Sequence, residues 1–374
     1  MATGVVISGT GLWVPEQGID NEELVAAYNA WVDRFLEENA EAVAAGAVEA
    51  PEKSSPEFIE NASGIRHRYV YTREGILDPE RMWPVFPERA EDELSITAEI
   101  SVVAARQALA NAGLEGSDID AVILSCSNLE RPYPALAVEV QHAIGAGGYA
   151  YDMNVACSSA TFGLQNAVDA IAGGSARRVL MVNPEITSAH INWRSRDAHF
   201  IFGDVCTAVV LERSDESRAK ERWEVLGTKL ATLYSNNIRN DFGFINRGPE
   251  ADFFDSGKLF RQQGRKVFKE VSPLAADHIG EHLRESGLDV ADVGRYWLHQ
   301  ANLNMNRLVV KRLLGRDAGE DEAPVVLDEF ANTASAGSVI AFHRHREGLD
   351  AGDVGVICSF GAGYSIGSVI VRRL

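Results

Sequence analysis

The segment Asn154-Val-Ala-Cys-Ser-Ser-Ala-Thr-Phe-Gly-Leu-Gln-Asn-Ala-Val-Asp-Ala-Ile171 changes from the pattern of a buried strand to that of a helix. From Ser158 onward its apolar residues recur at the spacing of a helix face, and two glycines then end the pattern. Cys157 is therefore predicted at a helix N-terminus, where unpaired backbone N–H groups would lower the pKa of its thiol. The same cysteine, flanked by Val and Ala, could equally be a small buried apolar residue. This segment alone leaves both interpretations open.

Strand and helix patterns alternate on both sides of this segment. Apolar strands are predicted at residues 119–126, 149–155, 178–183 and 206–212, and helices at residues 96–112 and 135–144. This alternation predicts an α/β fold with a largely buried sheet and helices on its faces. Nearer the N-terminus, a helix is predicted from residue 22 to about residue 50, and the proline-rich, acidic segment 73–94 is predicted to be a surface loop.

The second half of the chain repeats the first in a weaker form. Residues 118–128 resemble residues 292–302, and the helix and strand at 158–183 resemble those at 334–359. The order is kept and the offset stays near half the chain length, which indicates a duplicated βα unit. We therefore predict two similar halves that bury helices against a shared middle.

The composition describes a globular chain with an acidic surface. Of its 374 residues 46% are hydrophobic, and the formal net charge of −19 argues against general binding to nucleic acid or to an anionic membrane. No apolar stretch has the length of a membrane span, and no secretory leader is recognisable. The four cysteines, at positions 126, 157, 206 and 358, show neither metal-site nor disulfide spacing. We therefore expect a cytoplasmic protein.

Duplication brings chemically distinctive residues to equivalent places. His299 occupies the strand end that corresponds to Ser125, and Asn332 opens the turn before the helix that mirrors the Cys157 helix. If the halves pack as pseudo-twofold mates, Cys157, His299 and Asn332 converge. The thiol would carry an acyl group as a thioester, and the imidazole and the amide would stabilise an enolate beside it. Alone, His299 would be a structural strand-end residue and Asn332 a turn residue, and only the joint pattern favours catalysis.

Two further patterns bear on cofactors. The sequence Phe360-Gly-Ala-Gly-Tyr-Ser-Ile-Gly367 is followed by a strand and not by a helix, which argues against a dinucleotide-binding turn. Its backbone N–H groups are instead suited to an oxyanion. His343 and His345 are two residues apart on a predicted helix and point in different directions, so we predict no metal site.

Four motifs together give the chain a wider likeness: Ala-Cys-Ser-Ser at 156–159, Leu-His-Gln-Ala-Asn at 298–302, Asn-Thr-Ala-Ser at 332–335 and Gly-Ala-Gly-Tyr-Ser-Ile-Gly-Ser at 361–368. With these, the chain resembles the β-ketoacyl-acyl-carrier-protein synthase III family over nearly its whole length. The resemblance implies the thiolase fold, in which two duplicated βα halves form a layered αβαβα core, usually as a homodimer. The halves would be residues 1–213, with the nucleophilic cysteine, and 214–374, with the histidine and the asparagine.

The resemblance also implies a decarboxylating condensation in fatty acid biosynthesis. An acyl-CoA primer would acylate Cys157, and a malonyl group on acyl-carrier protein would then lose CO₂ with help from His299 and Asn332. The resulting enolate would attack the acyl-enzyme. The backbone N–H groups of Cys157 and Ala362 would bind the oxyanion. No cofactor or metal would be needed, since acyl-CoA is a substrate.

Several positions depart from the family pattern. Ala362 stands in place of the middle glycine of a Gly-Gly-Gly run, and Phe58 and Ala62 stand where many members have a Trp and an Arg that hold the CoA nucleotide. Tyr133 matches an aromatic residue that crosses the dimer interface and limits primer length. Four residues are assigned to substrate binding by the resemblance: Tyr133, Phe58, Gly361 and Gly363.

A basic surface for the acidic carrier protein is expected near the site. Asn304 stands where the family commonly has a basic residue for this contact. Six other basic residues on two predicted helices could supply the surface instead: Arg265, Lys266, Lys269, Arg307, Lys311 and Arg312. The same side chains could also form an ordinary solvated helix face.

Two questions stay open at the level of sequence. Segments 26–57 and 73–94 resemble insertions that either fold over the mouth of an acyl tunnel and admit a medium-chain primer, or form surface or dimer contacts. The same site residues would also serve an acyltransferase, a synthase of a secondary metabolite or signalling molecule, or a non-catalytic thioester-binding subunit. A cysteine hydrolase is disfavoured, because no Gly-x-Cys-x-Gly elbow surrounds Cys157.

Overall fold

The computed structural model describes residues 4–241, 257–319 and 321–374. In these residues the strands are β1 (Val5–Trp13), β2 (Gln17–Asp20), β3 (His67–Val70), β4 (Ala121–Ser125), β5 (Tyr149–Met153), β6 (Arg178–Glu185), β7 (Val205–Arg213), β8 (Trp223–Thr232), β9 (Ile238–Arg239), β10 (Arg261–Gln262), β11 (Val293–Leu298), β12 (Val354–Gly361) and β13 (Ser365–Arg373). The α-helices are α1 (Asn21–Glu38), α2 (Ala40–Ala44), α3 (Pro56–Ser63), α4 (Ile96–Ala112), α5 (Leu136–Ile144), α6 (Ser159–Ala172), α7 (Gly264–Glu285), α8 (Leu303–Leu314), α9 (Leu327–Phe330) and α10 (Gly337–Arg344).

Within the described ranges, nine strands form one sheet in the order β11-β12-β13-β8-β1-β7-β6-β4-β5. The first half of the chain contributes β5, β4, β6, β7 and β1, and the second half contributes β11, β12, β13 and β8. Both halves use the same pairing: β4 with β6 and β11 with β12 are parallel, and the strands that follow are antiparallel. The halves join where Val6 pairs with Glu224 and Ile7 with Trp223. The repeated pairing is the structural form of the duplication.

Helices cover both faces of each half-sheet and so create five layers. In β6, Val179 and Met181 face a core shared with α6 and α10, whereas Leu180 and Val182 face α4 and α5. Strand residues of the second half divide in the same way between that shared core and a core with α7 and α8. Because strand side chains alternate, each strand must be apolar on both faces to be covered on both. The layered αβαβα fold is confirmed.

The N-terminal helix is shorter than predicted. It begins at a capping box, in which Asp20 accepts a hydrogen bond from the backbone N–H of Glu23 at 2.8 Å, and it ends at Glu38. Beyond it the chain forms only the short α2. The prediction of one helix to about residue 50 was wrong: the backbone leaves helical geometry at Asn39, where φ is −114°, and the Asn39 side chain donates to the carbonyl of Phe35 at 2.9 Å.

The segments that resemble insertions pack on the rest of the fold. Tyr28 and Val32 of α1 are buried in a cluster with Phe200, Phe202 and Trp193. Segment 73–94 contains no helix or strand, as predicted, although Ile76 and Met82 within it are fully buried in the same cluster. Both segments therefore contribute buried side chains to the cluster that contains Phe200 and Phe202.

Two further observations concern the chain as a whole. Strand β7 ends at Arg213, so the predicted division between residues 213 and 214 falls between β7 and β8, and it stays a prediction. Among the described helices, none combines the length and the apolar character that a membrane span requires.

Candidate active site

Cys157 lies in a strained turn between β5 and α6. The side-chain oxygen of Asn154 accepts the backbone N–H of Ala156 at 2.9 Å, and the hydroxyl of Ser159 accepts that of Val155 at 2.8 Å. Ala156 has a φ of +46°, a conformation that a residue with a Cβ adopts at a cost of roughly 1–2 kcal/mol. Strain of this kind clusters at functional sites, where the surrounding structure maintains it. The predicted strand-to-helix junction is present.

Asn332 lies in a turn of the same construction. Its side-chain oxygen accepts the backbone N–H of Ala334 at 2.9 Å, and Ala334 also has a φ of +46°. The backbone N–H of Asn332 donates to Ile201 at 3.0 Å, and its carbonyl accepts from Gly203 at 3.2 Å. Because the amide oxygen is occupied by the turn, the amide N–H₂ is the part of the side chain that remains available to a ligand.

His299 directly follows β11, and its backbone N–H donates to the carbonyl of Cys358 at 2.8 Å. The ring is only 2% exposed and lies edge-on to Phe360, with 5.3 Å between ring centroids. Its Nδ1 atom has no hydrogen-bond partner among the described residues. Burial lowers the pKa of His299 to about 4, so the imidazole is neutral at pH 7.

These three residues line one pocket of about 440 Å³. The structure thus brings together the residues that the duplication pattern predicted to converge, and their roles stay predictions. The wall is mainly apolar, with side chains that the sequence pattern did not single out, among them Phe200, Phe260, Val267, Phe268 and Met305. They come from separate parts of the chain, and apolar residues at such positions are equally typical of a core.

The pKa of the Cys157 thiol is raised to about 12, first by burial and second by the nearby negative charge of Glu185. The backbone N–H of Ala362 acts in the opposite direction. The prediction of a lowered pKa was therefore wrong. Cys157 keeps part of its surface in the pocket, yet protein atoms surround its sulfur so closely that desolvation outweighs the helix N-terminus.

The glycine-rich turn contacts the cysteine directly. A Cβ on Gly361 would lie 2.5 Å from Cβ and 3.1 Å from Sγ of Cys157, so glycine is required for this close approach. The N–H of Ala362 interacts with the Cys157 thiol, which is compatible with the predicted oxyanion role. Gly363 has a φ of +133°, which also favours glycine, but it is not among the pocket-lining residues.

The two predicted aromatic contacts lie outside this pocket. Phe58 packs edge-on against the pocket residue Phe200, with 6.1 Å between ring centroids. The guanidinium of Arg196 lies 3.8 Å from the centre of the Phe58 ring, a contact that sequence analysis missed because the two residues are distant in the chain. Tyr133 is 80% exposed, as a residue that reaches a second subunit would be in a single chain.

The six predicted basic residues lie on two adjacent helices. Arg265, Lys266 and Lys269 belong to α7, and Arg265 and Lys269 line the pocket. The other three, Arg307, Lys311 and Arg312, belong to α8, which packs against α7. All six are exposed, and on α8 Lys311 pairs with Asp317 at 3.0 Å and Arg312 with Asp277 at 3.6 Å. The α7 residues are therefore the more available positive charges at the pocket.

Comparison with known proteins agrees with this geometry. The family model described as 3-oxoacyl-[acyl-carrier-protein] synthase III matches residues 151–232, and the model of its C-terminal part matches residues 283–373. The β-ketodecanoyl-acyl-carrier-protein synthase of Pseudomonas aeruginosa is 58% identical over 93% of this chain and 99% of its own length. A β-ketoacyl-acyl-carrier-protein synthase III of Roseiflexus castenholzii is 30% identical over 100% of this chain and 99% of its own length.

Solved structures show the same fold. The 3-oxoacyl-acyl-carrier-protein synthase III of Aquifex aeolicus superposes with a TM-score of 0.77 at 24% identity, covering 99% of this chain and 100% of that structure. The chain therefore belongs to the 3-oxoacyl-acyl-carrier-protein synthase III family and is an acyl-transferring condensing enzyme of the ketoacyl synthase type.

Proposed function

We propose that this enzyme condenses an eight-carbon acyl-CoA primer with malonyl-acyl-carrier protein in fatty acid biosynthesis. The observation that carries this proposal is the 58% identity to a relative that is named for a β-ketodecanoyl product. Malonyl supplies two carbons of such a product after CO₂ has left. The remaining eight carbons of the ten-carbon chain come from the primer.

The pocket supports a primer longer than acetyl. Its wall includes Phe200, Phe202 and Phe260, and α1 packs behind the first two of these. Each additional methylene group that such a wall buries contributes about 0.8 kcal/mol to binding. An octanoyl chain has six more methylene groups than acetyl, so even partial burial gives a strong preference for the longer primer.

The first half-reaction transfers the acyl group to Cys157. Its sulfur attacks the thioester carbonyl, the bond from that carbon to the CoA sulfur breaks, and CoA leaves as its thiol. The oxyanion of the tetrahedral intermediate is stabilised by the backbone N–H groups of Cys157 and Ala362. Because the pKa of Cys157 is raised to about 12, the resting sulfur is a thiol; it loses its proton as it attacks, and the departing CoA sulfur takes up a proton.

The second half-reaction uses His299 and Asn332. The malonyl carboxylate leaves as CO₂, and the electron pair of the broken C–C bond passes into an enolate. A neutral imidazole N–H and the Asn332 amide N–H₂ donate to the enolate oxygen. The enolate carbon then attacks the acyl-cysteine carbonyl, the C–S bond breaks, and the departing thiolate takes up one proton from solvent to regenerate the thiol. The carbon and electron balance closes without an oxidant or a reductant.

The proposal extends to the contact with the carrier protein and to a homodimer, both through exposed residues. Arg265, Lys266 and Lys269 offer exposed positive charge beside the pocket of a chain with a net charge of −19, which suits an acidic carrier protein. The exposed Tyr133 suits a homodimer in which each subunit contributes this residue to its partner. A malonyl-carrier substrate supports the proposal of a cytoplasmic location.

A primer series tests the function. Acyl-CoAs from two to twelve carbons would each be supplied with malonyl-acyl-carrier protein, and the β-ketoacyl products would be quantified by mass spectrometry. We expect a maximum at eight carbons and a strong loss when malonyl-CoA replaces the carrier-bound substrate. A maximum at acetyl would contradict the primer assignment, and equal rates with malonyl-CoA would contradict the carrier-protein assignment.

A further inference from the structure

The two strained turns of the site are structural counterparts. In each, an asparagine side chain accepts the N–H of an alanine two residues later, and that alanine has a φ of +46°. The residue after the alanine is Cys157 in the first half and Ser335 in the second. Ser335 is therefore the counterpart of the nucleophile. The sequence likeness aligned Ser158 with Ala334, whereas the structure aligns Ala156 with Ala334. The sequence alignment was therefore shifted by two residues at this turn.

The residues that face the two counterparts differ in kind. Strand β12 ends at Gly361, which contacts Cys157, and strand β6, which has the same pairing in its own half, ends at Glu185. Glu185 contacts Ser335 across the boundary between the halves. At the strand end beside Cys157 the fold therefore has a glycine backbone in close approach, and at the equivalent strand end beside Ser335 it has a carboxylate.

The carboxylate of Glu185 connects both turns. Its Oε1 atom accepts the N–H of Ser335 at 3.1 Å, the hydroxyl of Ser335 at 2.5 Å and the N–H of Ser127 at 2.9 Å. Its Oε2 atom accepts the hydroxyl of Ser127 at 2.5 Å. The carbonyl of Ser127 in turn accepts the side chain of Asn154, which shapes the Cys157 turn, at 2.8 Å. One side chain is therefore bonded to the Asn332 turn directly and to the Cys157 turn through Ser127.

Stability alone does not account for this side chain. Glu185 is fully buried, and burial is the largest cause that raises its pKa, to about 7, against the four hydrogen bonds that lower it. A buried charge usually contributes less to stability than an apolar residue of similar volume, because desolvation is costly. Its negative charge also raises the pKa of Cys157, which disfavours the reactive thiolate. Glu185 thus costs desolvation free energy and disfavours the Cys157 thiolate. We therefore expect its role to be the positioning of residues in the site.

We propose that Glu185 is a positioning residue that fixes the Asn332 turn relative to Cys157 and so serves the decarboxylating half-reaction more than acylation. The inference rests on the proposed two-step function. Glu185 does not line the pocket, so it acts through Ser335 and not on substrate. The Cys157 turn has independent support, since Ser158 donates to the carbonyl of Ser365 at 3.0 Å and Ser159 bonds within the turn. Because Glu185 bonds to Ser335 directly and to the Cys157 turn only through Ser127, weakening its contacts displaces the Ser335 side of the Asn332 turn first.

The test separates the two half-reactions in Glu185→Gln, which keeps the shape but has one acceptor oxygen in place of two. Acylation of Cys157 by octanoyl-CoA would be followed by intact-protein mass, and discharge by malonyl-acyl-carrier protein would be followed in the same sample. We expect acylation close to the wild-type rate and discharge slower by roughly tenfold to a hundredfold, the range typical of lost positioning contacts. The KM for malonyl-acyl-carrier protein should change little.

Two serine variants keep the proposal testable if Glu185→Gln does not fold. Ser335→Ala removes one donor to Glu185 and should give the same selective loss in milder form. Ser338→Ala is the matched control, since Ser338 is equally buried nearby but bonds to the hydroxyl of Ser359 at 2.8 Å, and it should leave both rates near wild type. Equal loss of both half-reactions, or normal discharge, in Ser335→Ala and Glu185→Gln would overturn the inference. A wild-type enzyme that octanoyl-CoA does not acylate would instead overturn the proposed function.

Discussion

Replacing Gly361 by alanine is expected to slow the acylation of Cys157 strongly while leaving the fold in place. The added Cβ would lie 2.5 Å from Cβ and 3.1 Å from Sγ of Cys157. Carbon atoms in contact prefer about 3.5–4.0 Å, so the cysteine or the turn at residues 360–363 must move by about 1 Å.

The structure sets the size of the effect. A displacement of about 1 Å at a reacting atom can lower a rate by about a hundredfold. Overpacking of this kind destabilises a protein by about 1–3 kcal/mol, which a chain of this size is expected to tolerate. The rate of Cys157 acylation by octanoyl-CoA would be measured by intact-protein mass, with the melting temperature recorded in parallel. We expect acylation to fall by about a hundredfold and the protein to remain folded.

Gly280→Ala provides the matched control. Gly280 lies inside α7, and a Cβ there would make only an ordinary contact of 3.8 Å with Leu313. Since alanine is favoured over glycine in a helix by roughly 0.5–1 kcal/mol, the control should be slightly more stable and fully active. Normal acylation in Gly361→Ala would refute the argument that the close approach of Gly361 positions the nucleophile.

Three further predictions concern pH and charge. Because the pKa of Cys157 is raised to about 12, its alkylation by iodoacetamide should still accelerate between pH 9 and 11, and a plateau near neutral pH would contradict the raised pKa. Stability measured by calorimetry should fall as the pH drops from 6.5 towards 4. Five histidines have a folded pKa that is lowered to about 4, and over this range they take up protons only in the unfolded chain: His190, His199, His282, His299 and His343. Carboxyl groups with a raised folded pKa, such as Glu185, have the opposite effect on stability but are fewer. A melting temperature that is constant or rises over this range would contradict it. Lys269→Glu should raise the KM for malonyl-acyl-carrier protein severalfold with little change for acyl-CoA, whereas the exposed Lys220→Glu should change neither. Equal effects of the two variants would contradict the carrier-protein surface.

Much of the site could be predicted because it depends on local patterns that the duplication repeats. The change from strand to helix at Cys157 is visible in a single segment, and the repeat places His299 and Asn332 at equivalent strand ends. Packing the two halves as mates was then enough to bring these residues into one pocket.

The remaining features depend on contacts between residues distant in the chain. Glu185 ends an apolar strand, and nothing in its neighbourhood indicates that Ser335 of the other half will meet it. The Phe58–Arg196 contact is of the same kind. The pKa of Cys157 was predicted in the wrong direction, because helix position can be read from a sequence but desolvation by distant residues cannot. The sequence alignment of the two halves was shifted by two residues at the Asn332 turn. Helix α10 is shorter than α6, so aligning these two helices by sequence did not align the turns that precede them.

We propose that Cys157 carries the acyl group and that His299 and Asn332 act only on the second substrate. The most direct measurement is the intact mass of the wild type, Cys157→Ser, His299→Ala and Asn332→Ala proteins after octanoyl-CoA, and again after malonyl-acyl-carrier protein. We predict one octanoyl adduct on every protein except Cys157→Ser, with discharge only in the wild type. An adduct on Cys157→Ser, or normal discharge in Asn332→Ala, would contradict these assigned roles.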